Sequence, residues 1–424
     1  MDPKFALPLV NFLMSDVGGG LGPFLSTWLA EVRHWTPAQI GTVIAVGSLA
    51  GAALSVPAGS IVDRLGKPRI MLAVACGMIL AGTLLLLPFE AFAVVFAAQI
   101  VVAAGGALGG PATVALTLSI VGKDFFSKQQ GTNEAASHAG NVTAALAIAG
   151  LAWVIGPMAA VVVLAVMAVA TITVLFFIDR AKVDGDRMRG RKSRKRGEKR
   201  GLTRNILKDW RIWALLGVVG LFQLGSSAML PLLGQRVVAA GNGNGTAWMS
   251  ACVIVAQLTM VPVAIATGRQ VDKIGVRRLL LFSCCVVVAR GALAAVASSN
   301  WWLIPIEVLD GVAAGVFSVT VPCAMTYLTY GSGRTQTAMG GMATMSAAMS
   351  ALAAFGGGLL ATHLGYAVTF GIMAVFPVIA ACILMTIKPD KQTRYRGAPA
   401  DKEPEGGPGE GTPSGKAAAI SAAA

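Results

Sequence analysis

Long apolar runs separated by short polar breaks dominate the chain. Twelve runs stand near residues 5–29, 37–60, 69–88, 91–120, 129–153, 156–178, 211–235, 246–268, 278–298, 302–328, 336–361 and 365–387. A hydrocarbon core about 30 Å thick is crossed by roughly 20 helical residues, so each run is long enough to span a bilayer. Backbone polar groups in lipid must be satisfied internally, and runs of this length predict an all-α integral membrane protein with twelve transmembrane helices. The widest break divides them six and six. The predicted organisation is a six-helix bundle over 1–178, a linker over 179–210, a second six-helix bundle over 211–387 and a tail over 388–424. The tail's Gly, Pro and Ala content predicts disorder.

Composition supports lipid as the main solvent. The 424 residues are 55% hydrophobic and 13% charged, with a mean hydropathy of +0.70. The formal charge of +14 would suggest nucleic acid in a soluble chain, but 14 of the 34 Lys and Arg lie between Arg180 and Arg211. Others cluster at 63–69, 272–278 and 388–396, which are alternate loops if both termini share one side. The positive-inside rule then places both termini in the cytoplasm and the chain in the plasma (inner) membrane, with the basic linker as an anchor near anionic headgroups rather than a nucleic-acid site. Six cysteines are scattered through the spans without metal-finger spacing. Residues 1–4 lead directly into a span too long for a cleavable signal, so none is expected.

One stretch occurs twice. Gly59-Ser-Ile-Val-Asp63-Arg64-Leu-Gly66-Lys-Pro-Arg69 returns in outline as Gly268-Arg-Gln-Val-Asp272-Lys273-Ile-Gly275-Val-Arg-Arg278. Each copy falls between the second and third spans of its half, so the two halves are pseudo-symmetric. Each combines glycines that permit a tight turn and close helix approach with a carboxylate and a basic cluster. Asp63 is placed to pair with Arg64 or Arg69, or to sit at a helix N-terminus, and either arrangement makes a latch that closes in one conformation.

This loop resembles the Gly-x-x-x-Asp-Arg-x-Gly-Arg-Arg signature of the major facilitator superfamily, with its weaker counterpart between helices eight and nine. The resemblance covers residues 5–387. It implies two six-helix bundles around a central cavity, which rock to expose one site to alternate sides of the membrane. It also implies a secondary transporter, with export favoured because many members of this length with short external loops are exporters. Two signatures are missing. No charged residue stands between Glu90 and Lys123, where many proton-coupled members carry an Arg, and Gln99 is the nearest polar substitute. The Gly-Pro signature of drug–proton antiporters is also absent from helix five.

Ionisable groups within a span are costly and call for a cavity or a partner. Asp16 precedes Gly18-Gly-Gly-Leu-Gly22-Pro23, a sequence that loosens a helix at membrane depth. Glu134, His138 and Asn141 are spaced by four and three and share one helical face. Asp16, Glu134 and His138 make a plausible proton relay and substrate group, since imidazole titrates near neutrality. In the second half Glu307 and Asp310 lie near Arg290, which predicts a buried ion pair of Arg290 with Asp310 or Glu307. Gln223 and Gln257 are further hydrogen-bonding candidates.

The resulting expectation is a proton-coupled transporter of a small solute, not an enzyme, embedded in lipid and monomeric, with no cofactor. No phosphate-binding loop supports ATP hydrolysis. A metal-ion transporter is the alternative, using Asp16 and His138, with the Met339, Met342, Met345 and Met349 stripe as a source of soft sulfur ligands. A transporter-like receptor or scaffold is a further one.

Overall fold

The structure is a computed structural model, and it describes residues 3–17, 25, 28–29, 33–35, 37–88, 91–156, 158–179, 183–189, 208–239 and 245–386. The first half comprises α1 (Pro3–Val17), α2 (Pro37–Leu65), α3 (Pro68–Leu85), a 64-residue helical run over Phe92–Ile155, and α6 (Met158–Phe177). That run is two spans joined at Gly122, whose φ of 70° and ψ of 179° interrupt the helix. They are named α4 (92–121) and α5 (123–155). The second half comprises α7 (Trp210–Ser226, resuming over Met229–Ala239), α8 (Gly245–Ile274), α9 (Val276–Val296), α10 (Leu303–Thr329), α11 (Thr335–Leu364) and α12 (Tyr366–Thr386). A 3-10 turn over Asn300–Trp302 leads into α10. Ten helices among the described residues are long and apolar enough to cross a membrane, the Phe92–Ile155 run holds two of the spans, and the shorter apolar Phe5–Ser15 begins the first.

Several boundaries differ from expectation. The polar stretch 121–128, expected to be a loop, is helical on both sides of Gly122, and Ser127 within it donates to Asp272 of α8. The repeated motifs are also largely helical. Helix α2 runs through Asp63 to Leu65 and α8 through Asp272 to Ile274, so each turn is confined to the residues around Gly66 and Gly275. These glycines have φ of 67° and 92°, a backbone region that side chains disfavour. Trp28 is 2% exposed in the core of the first half, with Arg33 over its ring. Trp301 is exposed, as an anchor should be. The 388–424 tail and the basic run 190–207 lie outside the described residues.

Each half packs around its own apolar core. Leu7, Leu72, Ile79, Leu116 and Leu164 belong to the first, and Val218, Phe222, Val287 and Met325 to the second. The halves meet along two seams, α2 against α11 and α5 against α8. A third apolar cluster belongs to both halves, joining Leu118, Phe126 and Ala135 to Ala264, Val271 and Val319. It lies toward the motif end.

Candidate functional site

At the motif end of the first seam the backbones touch. A Cβ added to Gly59 would stand 2.1 Å from the Gln336 carbonyl oxygen, and one added to Gly340 would stand 2.1 Å from that of Ser55. Only glycine fits at either place. This approach carries Asp63 to the first turn of α11, where four backbone N–H groups lack helical partners. Its Oδ1 accepts from Gln336 N at 3.1 Å, and its Oδ2 accepts from Thr337 N and Thr337 Oγ1, each at 2.7 Å. Asp63 therefore caps a helix of the opposite half, and the opposite dipole ends attract. It does not pair with Arg64, which is exposed, or with Arg69, whose guanidinium donates to the Leu175 and Phe176 carbonyls of α6. Farther along the seam, Thr344 Oγ1 donates to Ala52 O at 2.7 Å.

The second seam repeats the plan with different chemistry. Gly131 and Gly268 face each other, and a Cβ on Gly131 would lie 2.6 Å from the Gly268 Cα. Asp272 accepts hydrogen bonds from Ser127 Oγ near the start of α5 and from Tyr327 Oη of α10 at 2.7 Å. Lys273 and Arg278 are exposed. Arg277 donates to the Met385 carbonyl of α12 at 2.8 Å, matching the reach of Arg69 to α6.

A piece of the linker lies across the first seam. Asp184 caps the short helical turn Gly185–Met188, and its N–H donates to Ser119 O of α4. Arg189 donates through Nε to Asp63 O at 2.6 Å and through Nη2 to Arg64 O at 2.9 Å. Gln336 Nε2 donates to Met188 O and Thr335 Oγ1 to Arg189 O, which ties the same turn to α11. Met188 is fully buried.

Deeper in the second seam, His138 of α5 meets Gln257 of α8, Nδ1 to Oε1, at 2.7 Å. Two residues on, Gly140 packs against Phe12 and Ser15 of α1, which brings α1 to the same level. Asp16 is the penultimate residue of α1, and its side chain lies outside the described residues. Glu134 is one turn nearer the motif end and accepts from Gln130 Nε2 at 2.8 Å. Asn141 is half-buried on the same helix. Gln223 faces across its own half, donating to Ser346 Oγ at 2.7 Å and Ser350 Oγ at 3.3 Å.

In the second half, away from the motif end, Arg290 meets two carboxylates. Nη2 lies 3.0 Å from Glu307 Oε1 and Nη1 lies 2.7 Å from Asp310 Oδ1. The guanidinium also reaches Ser226, where α7 breaks. Arg290 and Glu307 are 1% and 0% exposed, Asp310 16%, and Glu307 Oε2 accepts no hydrogen bond. The expected pair is thus a triad of one cation and two carboxylates.

Reading the chain alone overlooked Ser127, Tyr327, Gln336, Thr337 and Arg189. The duplication held the signal for Ser127, Gln336 and Thr337: if each motif reaches the opposite half, its partners lie at the starts of the fifth and eleventh spans. The methionine stripe packs against apolar neighbours. Met339 is buried in the core, while Met345 and Met349 pack on Gly220 of α7. Among the described residues no three His, Cys, Asp or Glu side chains are grouped to hold a metal.

Comparison with known proteins agrees with this architecture. The sequence model of the Major Facilitator Superfamily matches residues 9–289 and 224–421. Two Mycobacterium tuberculosis proteins, from strains CDC 1551 / Oshkosh and ATCC 25618 / H37Rv, are each 32% identical over 400 residues, spanning 93% of this chain and 96% of theirs. Both are named only as uncharacterized MFS-type transporters. Among solved structures, the human organic anion transporter MFSD10 aligns with a TM-score of 0.67 at 16% identity, covering 91% of this chain and all of its own. FucP in its outward conformation aligns at 0.68 and 11% identity, covering 91% and 98%. The proton:xylose symporter XylE aligns at 0.66 and 12%, covering 91% and 96%.

Proposed function

Because the chain belongs to the Major Facilitator Superfamily and moves a solute across a membrane, we propose that it does so by alternating access, coupled to protons, with export as the favoured direction. The basic linker and both motif turns face the cytoplasm in this reading, as the distribution of Lys and Arg suggests. The joined ends of the two seams are then cytoplasmic, and the described arrangement is outward-facing in the inner membrane.

The His138–Gln257 bridge carries the reading. It is a polar pair at membrane depth whose two members belong to different bundles. With Nδ1–H donating to the Gln257 oxygen, a neutral imidazole keeps its Nε2 lone pair for a donor on the solute. A solute bonding there loads an imidazole that bridges the halves, and so biases their arrangement. Glu134, Asn141 and Asp16 stand on the adjoining turns of α5 and α1.

Proton coupling draws support from the second half. One guanidinium against two carboxylates leaves an unbalanced negative charge in a buried site, and binding a proton removes it. Glu307 and Asp310 therefore join Asp16, Glu134 and His138 as coupling residues.

A thermal-shift screen of small solutes against the purified chain, repeated with Asp16→Asn and His138→Ala, should yield a solute whose stabilisation is lost in His138→Ala. Sealed vesicles should then accumulate that solute in response to an imposed pH gradient, and less so with Glu307→Gln. Accumulation indifferent to the gradient overturns proton coupling. A solute whose binding and counterflow survive His138→Ala overturns the placement of the site.

A further inference from the structure

Outside the seams, a groove of about 610 Å³ opens between the motif end of α3, the last turns of α6 and the linker. Its walls include Ile70, Val74, Phe176 and Val183, and its rim carries Lys67 and Arg69. Phe176 is 72% exposed, and Ile70 and Val74 are also exposed. Such apolar exposure suits contact with lipid rather than water. Helices α3 and α6 are both membrane spans, and Lys67 and Arg69 stand at the end of α3, so the groove straddles the boundary between hydrocarbon and headgroups.

We propose that this groove is a binding site for an anionic phospholipid of the leaflet on the motif side. The apolar walls take an acyl chain and the rim takes the phosphate. Lys67 is exposed and extends from the turn, while Arg69 is held across the groove floor by its bonds to Leu175 O and Phe176 O. No Asp or Glu is among the described residues that line the groove. The amine of a zwitterionic headgroup would find no carboxylate there, whereas a net negative headgroup meets matching charge. A free phosphate would leave the apolar walls unused.

The site adjoins the latch. Gly66 and Val183 line it, and they flank the segments that Arg189 joins by donating to Asp63 O and Arg64 O. A lipid bridging the turn and the linker braces them in the arrangement that closes the motif end. An anionic lipid therefore favours the closed motif end over the open one.

Native mass spectrometry and thermal shift of the full chain in detergent test this, with phosphatidylglycerol, phosphatidylcholine and glycerol 3-phosphate as probes. Phosphatidylglycerol should bind and raise Tm, and the other two should not. Lys67→Glu should weaken phosphatidylglycerol binding by about ten-fold or more, and Val74→Trp, which fills the groove but keeps the rim, should abolish it. Equal stabilisation by phosphatidylcholine overturns the charge selection, and stabilisation by glycerol 3-phosphate overturns the lipid. Undiminished phosphatidylglycerol binding in folded Val74→Trp overturns the location, even if Lys67→Glu does not fold.

Discussion

The two motif copies differ in how they grip the opposite half. All three hydrogen bonds of the Asp63 carboxylate cross the seam to α11, and the linker turn is tied to both sides of the same contact. Asp272 divides its two bonds, one to Ser127 across the seam and one to Tyr327 within its own half. The glycines are used alike in both places, because close approach depends on the absence of a side chain. The carboxylates are used differently, since an acceptor can be satisfied by backbone N–H groups or by hydroxyls. Duplication has thus kept the steric half of the device and let the polar half diverge.

The sharpest way to break this comparison is to fill the shared steric part. Gly59→Val and Gly268→Val should both prevent closure of the motif end, because each puts atoms against backbone that cannot rotate away. Forcing such contacts costs about 1–3 kcal/mol or more, a shift of about five-fold or greater toward the open form. Spin labels on Leu65→Cys and Lys273→Cys, in a background without the exposed Cys285 and Cys382, should report longer distances in both variants. Were only Gly59→Val to lengthen them, the two seams would not be equivalent even in packing.

Much of this contrast was legible before any coordinates. The length of the apolar runs marked the spans, and the repeated Gly-to-Arg stretch identified equivalent turns, since both signals are read directly along the chain. The Arg290 cluster was legible as well, because buried charge at spacing three must find a counter-charge. What escaped was the destination of Asp63. Local reasoning offered Arg64, Arg69 or a helix N-terminus; the last is what Asp63 reaches, but the helix it caps starts more than 270 residues along the chain, which nothing local to the motif could identify. The linker turn escaped for another reason: a run of basic residues reads as solvated, whereas Met188 and Arg189 at its start are held by backbone carbonyls and a core.

Next in size is the effect of the carboxylates. Asp63→Asn retains one acceptor but loses the charge at the α11 N-terminus, which is worth about 1–2 kcal/mol at a partly buried cap. Closed-end population should fall by about ten-fold, read from the same label pair. Asp272→Asn should move it by about half as much in free energy, because only the Ser127 bond crosses the seam. Equal shifts would show that the Tyr327 bond is also part of the latch, and a larger shift for Asp272→Asn would reverse the ranking of the seams.

The smallest expected effect is that of the linker, and it separates a strap from a passive connection. Arg189→Ala removes two bonds to α2 carbonyls while leaving Asp63 in place on α11. The side chain is partly exposed, so the loss should be about 0.5–1 kcal/mol, a few-fold change in closed population. The Asp63→Asn and Arg189→Ala effects should not add, since Arg189 holds the turn that presents the carboxylate. Hydrogen exchange at 62–66 should rise in Arg189→Ala with no change at 268–275. Equal protection of both segments in that variant would mean that the linker merely connects the halves, and that the asymmetry between the seams resides in the two carboxylates alone.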